Sequence, residues 1–238
     1  MKARYRMILA TLAAVSVSCK VNDIAYYSED AKIEFSGASG YTFTDEDYLD
    51  TYVLGHDSWL DGVFTAQLIG YFLDSPRTFC VMSSPVENSP FTPELQFDNP
   101  YEFPAGVATS DAGFRNKCPG REATSTRQTV RTGFVDIVYD NSSEYQQFDE
   151  GRVENLSYRV SVTLDLYPDD WDTSFWGRYS ISKYFLMMDT FKAVHKDIEK
   201  NYENWRAINI AYNEYKAENG PLYGDDDYAG EEITFPQF

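Results

Sequence analysis

The chain reads as a mainly β protein: an antiparallel β-sandwich of the Ig-like type with a C-terminal α-helix. Three observations predict it. Residues 158–166, YRVSVTLDL, alternate with period two: Tyr158, Val160, Val162, Leu164 and Leu166 on one face, Arg159, Ser161, Thr163 and Asp165 on the other. That is the pattern of a strand with one buried and one wet face. Several other short apolar runs are separated by turn residues such as Ser36-Gly37, Asp74-Ser75-Pro76, Asp140-Asn141 and Pro168-Asp169-Asp170, which suits a sandwich of short strands. Near the C-terminus the period changes to three and four.

The N-terminal residues are read as an address rather than as part of the fold. Lys2, Arg4 and Arg6 precede the uncharged run MILATLAAVSV at 7–17. A bilayer-spanning helix needs about 20 apolar residues, and this run is far shorter. Basic start, short apolar run and small residues form a secretory signal. It stops at Ser16-Val17-Ser18-Cys19, which resembles a lipoprotein signal with Cys19 as the acylated first residue of the mature chain. Residues 1–18 are therefore expected to be removed and 19–238 to form one domain. A conventional signal cut near Ser18 is the alternative.

Strands are then expected at 32–35, 53–54, 63–73, 78–82, 133–139, 158–166 and 179–188. In 133–139, Val135, Ile137 and Tyr139 share a face. Residues 197–219 lack Gly and Pro, and Ile198, Tyr202, Trp205, Ile208, Tyr212 and Tyr215 form one apolar stripe, the mark of an amphipathic helix. Gly220-Pro221 stops it, and an acidic tail from Asp225 to Glu232 follows.

The formal charge is −18, with 20 basic against 38 acidic residues and a 43% hydrophobic fraction that can fill a core. Without Lys2, Arg4 and Arg6 the balance is 17 basic residues against 38 acidic, or −21. Such a surface repels a phosphate backbone, so nucleic acid is not an expected partner. With Cys19 acylated, Cys80 and Cys118 remain as an even pair in an oxidising compartment. They form a candidate disulfide across residues 81–117; two buried thiols are the alternative.

Five stretches in order carry a family resemblance: YTFTDEDYLDTYV at 41–53, IGYFLDSPRTF at 69–79, ELQFDNPYEFPAGV at 94–107, WGRYSISKYFLMMDTF at 176–191 and YNEYKAENGPLY at 212–223. Together they resemble an uncharacterised Bacteroidota lipoprotein family of unknown function, encoded beside SusC-like TonB-dependent transporters and SusD-like lipoproteins. The resemblance implies a lipid-anchored accessory protein of a nutrient importer at the outer membrane. Its partners would be a SusC-like transporter and a SusD-like lipoprotein, and it assigns no catalytic residue. Residues 108–131 depart from the family pattern and read as an insertion or longer loop.

Chemical motifs are few. Neither HExxH nor a CxxC pair occurs, so no zinc motif is present, and GxSxG is absent too. His56 and His195 stand alone in sequence and read as structural or exposed. A paired-carboxylate glycosidase needs two acids about 5 to 10 Å apart, and 38 acidic residues make that criterion undiagnostic. Asp169, Asp170 and Asp172, and Asp225, Asp226 and Asp227, could in principle hold calcium, but neither cluster has an EF-hand pattern; solvated charge fits them better. Trp171 and Trp176 lie in the acidic loop after the best strand. They are candidate ligand or partner contacts, since aromatic faces suit sugars and peptide side chains, or they cover a sheet edge. No cofactor is expected. The function expected is non-enzymatic: glycan or peptide binding, or scaffolding, within the importer. A free-standing glycan-binding protein and a glycoside hydrolase are the alternatives.

Overall fold

The computed structural model describes residues 30–126, 130–225 and 228–236. Cys19 and the N-terminal signal lie outside the described residues. From Ala31 onward the chain forms one unit built on two sheets. The first has the strand order β10 (Asp149–Glu150), β1 (Lys32–Glu34), β3 (Trp59–Ile69), β8 (Thr109–Lys117), β6 (Leu95–Phe97). The second runs β2 (Ala38–Phe43), β11 (Ser157–Leu164), β9 (Thr132–Tyr139), β5 (Val81–Pro85). A small pair, β4 (Arg77–Phe79) and β7 (Tyr101–Phe103), completes the β structure.

The alternation at 158–166 behaves as expected, since Val160, Val162, Leu164 and Leu166 are all buried. They meet Val135 and Ile137 of β9 on the same sheet and Phe64, Ala66 and Phe114 of the other in one continuous core. Aromatic contacts tie the layers: Phe64 lies 5.8 Å from Phe35 and 6.2 Å from Tyr158, centroid to centroid. Each such ring, fully buried, contributes about 1.5–3 kcal/mol.

The sandwich with its C-terminal helix stands, but the sheets are mixed rather than purely antiparallel. β11 pairs antiparallel with β9 and parallel with β2, and β1 pairs parallel with β10. Residues 108–131 are not a simple inserted loop, because they contain β8, which pairs with β3 over nine residues and lies inside its sheet. Its inward residues are Ala112, Phe114 and Asn116; only Phe114 is a large apolar side chain, so the run does not stand out as an apolar face. The run at 78–82 is two strands divided at Cys80, and 53–54 ends a wide π-type turn, Leu49–Val53, that continues α1 (Asp45–Tyr48).

The largest departure is 179–188, expected as a strand. It is helix α3 (Ile181–Phe191), preceded by the single turn α2 (Thr173–Trp176). Ile181, Tyr184, Phe185 and Met188 have helical spacing and are buried, so a period of 3.6 describes the run better than a period of 2. Ser180 Oγ accepts from Lys183 N at 3.2 Å, and Asp225 accepts from the backbone of Ile181 and Ser182 at 3.0 and 2.9 Å. Those bonds satisfy orphan donors of the first turn. The final helix, α4 (Tyr202–Asn219), begins five residues later than expected because Asn201 caps it, accepting from Asn204 N at 2.8 Å. Gly220, at φ 82°, ends it. Ile208 and Tyr212 face the core, whereas Tyr202 at the start of the helix is exposed.

Candidate functional site

After α4 the chain turns back as a strap. Ile233 N donates to Leu222 O at 2.9 Å, and Gly224 N to Glu231 O at 2.8 Å. Tyr212 donates to Glu232 at 2.7 Å, fastening the strap to α4. Between the strap and the loop joining α2 to α3 lies a cavity of about 380 Å³. Gly177, Arg178, Tyr179, Lys183, Tyr228 and Glu231 are among the residues that line it.

Lys183 forms the inner wall. It is buried, and its ammonium donates to the carbonyls of Trp176, Arg178 and Thr234 at 3.0, 2.7 and 2.8 Å. An ammonium has three protons, and each has an acceptor here. Burial pushes the amine down to about 8, so it stays largely charged at neutral pH. With its protons committed, Lys183 acts as a staple between α3 and the strap rather than as a nucleophile. Gly177, at φ 77°, makes the approach possible; a Cβ there would lie 3.2 Å from the Lys183 nitrogen.

The rim is polar and aromatic. Arg178 pairs with Glu231 at 3.0 Å, and its guanidinium lies 4.7 Å from the Tyr228 ring centroid. This offers a flat face, a donor fork and a carboxylate acceptor side by side, a set that suits hydroxyl-rich or peptide-like ligands.

The predicted contact residues belong elsewhere. Trp176 is fully buried, its ring 4.5 Å from Phe175 and 6.3 Å from Phe191. It is a core residue rather than a surface contact, because the loop after β11 folds inward as α2. Trp171 is half-buried, donates to Gly177 O at 2.8 Å and packs on Tyr179, Tyr184 and His195. Trp176 thus presents no open ring to a ligand, while the Trp171 ring is shared with these neighbours.

Cys80 and Cys118 are free, buried thiols, which corrects the candidate disulfide. Their surroundings are separate: Cys80 Sγ accepts from Ser143 Oγ at 3.1 Å, while Cys118 N bonds Ser58 O at 3.1 Å and Cys118 O accepts from Tyr52 at 2.9 Å. Burial pushes the Cys118 thiol up to about 12.

His195 is structural, with Nε2 2.7 Å from Asp170 Oδ1 and its backbone N donating to Tyr184 at 3.1 Å. His56 is exposed and pairs with Asp50 at 2.7 Å. Asp226 and Asp227 lie outside the described residues; the fold uses members of both acidic clusters. Asp172 caps α2 and pairs with Lys200, and Asp225 caps α3. No group of three or more His, Cys, Asp or Glu suited to a metal occurs among the described residues.

Sequence reasoning missed Lys183, Arg178, Tyr228 and Glu231. One clue was available: Lys183 interrupts the apolar run 181–188, and a lysine within a buried helical face needs partners. Two of the partners, the Trp176 and Arg178 carbonyls, are nearby in sequence, but the third, Thr234, lies in the strap and could not be read locally.

No protein-family model matches the chain, and no curated protein matches it. Among solved structures, the apo form of the Calx CBD1 domain is similar with a TM-score of 0.34 and 13% identity, over 58% of this chain and 99% of that one. A two-domain protein of unknown function from Bacteroides fragilis gives 0.38 and 9%, over 73% of this chain and 53% of that one. A protein of unknown function from Bacteroides ovatus gives 0.32 and 11%, over 56% and 44%. This chain spans about half the length of each of the two Bacteroides proteins.

Proposed function

We propose that this chain is a surface lipoprotein that handles a glycan or peptide ligand as a non-enzymatic accessory subunit of a SusC/SusD-like importer. Cys19 would hold it to the outer membrane, facing the cell exterior, and the strap cavity would receive the ligand. The observation that carries the binding reading is the cavity rim, where Arg178, stacked on Tyr228 and paired with Glu231, borders about 380 Å³ of space. Binding pockets of this kind typically span about 300–1,000 Å³. The anchor reading rests on the basic start, the short apolar run and Cys19 at its end.

Titration calorimetry against a panel of glycans and peptides tests the binding reading. Arg178→Ala and Tyr228→Ala should each weaken any binding about tenfold or more, the loss of one anchoring contact. Binding that survives both changes would remove the cavity as the site. Turnover in the same mixtures would favour the hydrolase alternative. Recovery of a tagged chain in mild detergent tests the partner reading, since a SusC-like barrel and a SusD-like lipoprotein should accompany it. Recovery of the chain alone would leave a free-standing binding protein.

A further inference from the structure

Two adjoining loop segments at one end of the sandwich present apolar side chains, flanked by the exposed Asp74 and by Lys32 and Asp149 on the neighbouring strands. Tyr71 and Phe72 follow β3 and are 66% and 64% exposed. Val107, between β7 and β8, is also exposed. Backbone bonds hold the two segments together: Gly106 N donates to Leu73 O at 3.1 Å, and Leu68 N to Ala108 O at 2.9 Å. Leu73 is buried, so the loop is pinned from inside while the two rings face outward. Gly70 and Gly106, at φ 126° and 73°, supply conformations that side-chain-bearing residues rarely adopt.

Two further facts indicate what covers this tip. Residues 70–73 and 104–108 contain no charged side chain, in a chain whose formal charge is −18. Lys32, the first residue of β1, pairs with Ile69, so the chain enters the sandwich at the level of the tip. Lys32 is only thirteen residues after Cys19, a reach of at most about 45 Å when fully extended. An acyl chain on Cys19 would therefore keep the point where the chain enters the sandwich within about 45 Å of the bilayer.

We propose that Tyr71 and Phe72, with Val107 beside them, insert into the interfacial layer of the membrane that holds the anchor. Aromatic side chains favour that layer because they combine an apolar body with polarity tolerance at the headgroups. The inserting residues themselves carry no charge, which avoids the cost of desolvating an ion. The tip would orient the sandwich on the bilayer. This inference rests on the anchor reading.

The test places a photoreactive phenylalanine analogue at position 72 of the full-length chain, and in a control at position 202. Tyr202 is also 66% exposed but lies on α4. After illumination in membranes, lipid adducts at 72 should exceed those at 202 by about tenfold, as expected for one site in the interface and one in water. Acylation of Cys19 is measured on the same material by mass. An acylated chain with no lipid adduct at 72, with equal adducts at both positions, or with a protein adduct at 72 in place of lipid overturns the tip and leaves the anchor. An unacylated chain that still labels lipid through 72 removes the anchor and keeps the tip. An unacylated chain without lipid adducts removes both.

Discussion

The carboxylate of Glu34 on β1 is enclosed by Arg152. It accepts from Arg152 Nε and the terminal guanidinium nitrogen at 2.8 and 2.9 Å, and from the Arg152 backbone N at 2.7 Å. Asn155 adds a fourth bond at 3.0 Å. The Glu34 side chain is 3% exposed and that of Arg152 is 63% exposed, so the guanidinium is a lid over a buried acid. The pair joins residues 118 positions apart in sequence, and it fastens β1 to the segment that leads into β11.

The Arg152 hydrogen bonds hold the Glu34 carboxyl down to about 2, against an ordinary value of 4.5. The unfolded chain therefore binds this proton more readily than the folded one. Stability from the pair is fully present above about 4.5 and is lost as pH falls toward about 2. Urea midpoints of wild type and Glu34→Gln should differ at pH 6 and converge toward pH 2.5. A constant difference across that range would show that the charge contributes nothing.

Gly151 lies against this acid. A Cβ added there would be 2.2 Å from Glu34 Cγ and 2.7 Å from the Ile33 carbonyl. Gly151→Ala should destabilise by about 1–3 kcal/mol through overpacking, while Gly55→Ala tests backbone strain alone, at φ 80° with open space around it. Thermal unfolding of both variants separates crowding from conformation.

Both thiols should be alkylated in denaturant without prior reduction, because Cys80 and Cys118 are unpaired. In the folded protein both should be protected, as both are buried. Intact mass after labelling, with and without denaturant, checks this; a mass two protons low in the unlabelled protein would restore the disulfide.

Lys183→Met leaves three carbonyls without their donor. Losing charge-assisted bonds of this kind costs about 1.5–3 kcal/mol. The loss should appear first in the strap, as faster amide exchange at residues 228–236, while β3 and β8 keep their protection. Uniform loss of protection would mean that the strap is part of the global folding unit.

Trp176→Ala should cost about 3–5 kcal/mol as a buried aromatic truncation, with unfolding rather than ligand loss as its main effect. Trp171→Ala should cost less, because that ring is only half-buried. Chemical denaturation of the two variants gives the order directly.

Much of the fold was legible in residues 32–35, 133–139, 158–166 and 197–219, because burying one face of a strand or helix imposes a period on the sequence. The turn dipeptides and Gly220 marked the ends by their backbone requirements. What only tertiary structure decided was pairing and partnership. The parallel contact of β2 with β11 joins segments more than a hundred residues apart, and no local pattern encodes it. β8 was hidden because, of its inward side chains, only Phe114 is large and apolar, while Ala112 is small and Asn116 polar. The helix at Ile181–Phe191 depends on Asp225, far along the chain, for part of its cap, and Lys183 can be buried there only because the strap supplies a carbonyl. The fates of Trp171, Trp176, Cys80 and Cys118 were undecided for the same reason. Burial and bonding are properties of neighbours, and in this chain the neighbours are brought together by folding rather than by sequence order.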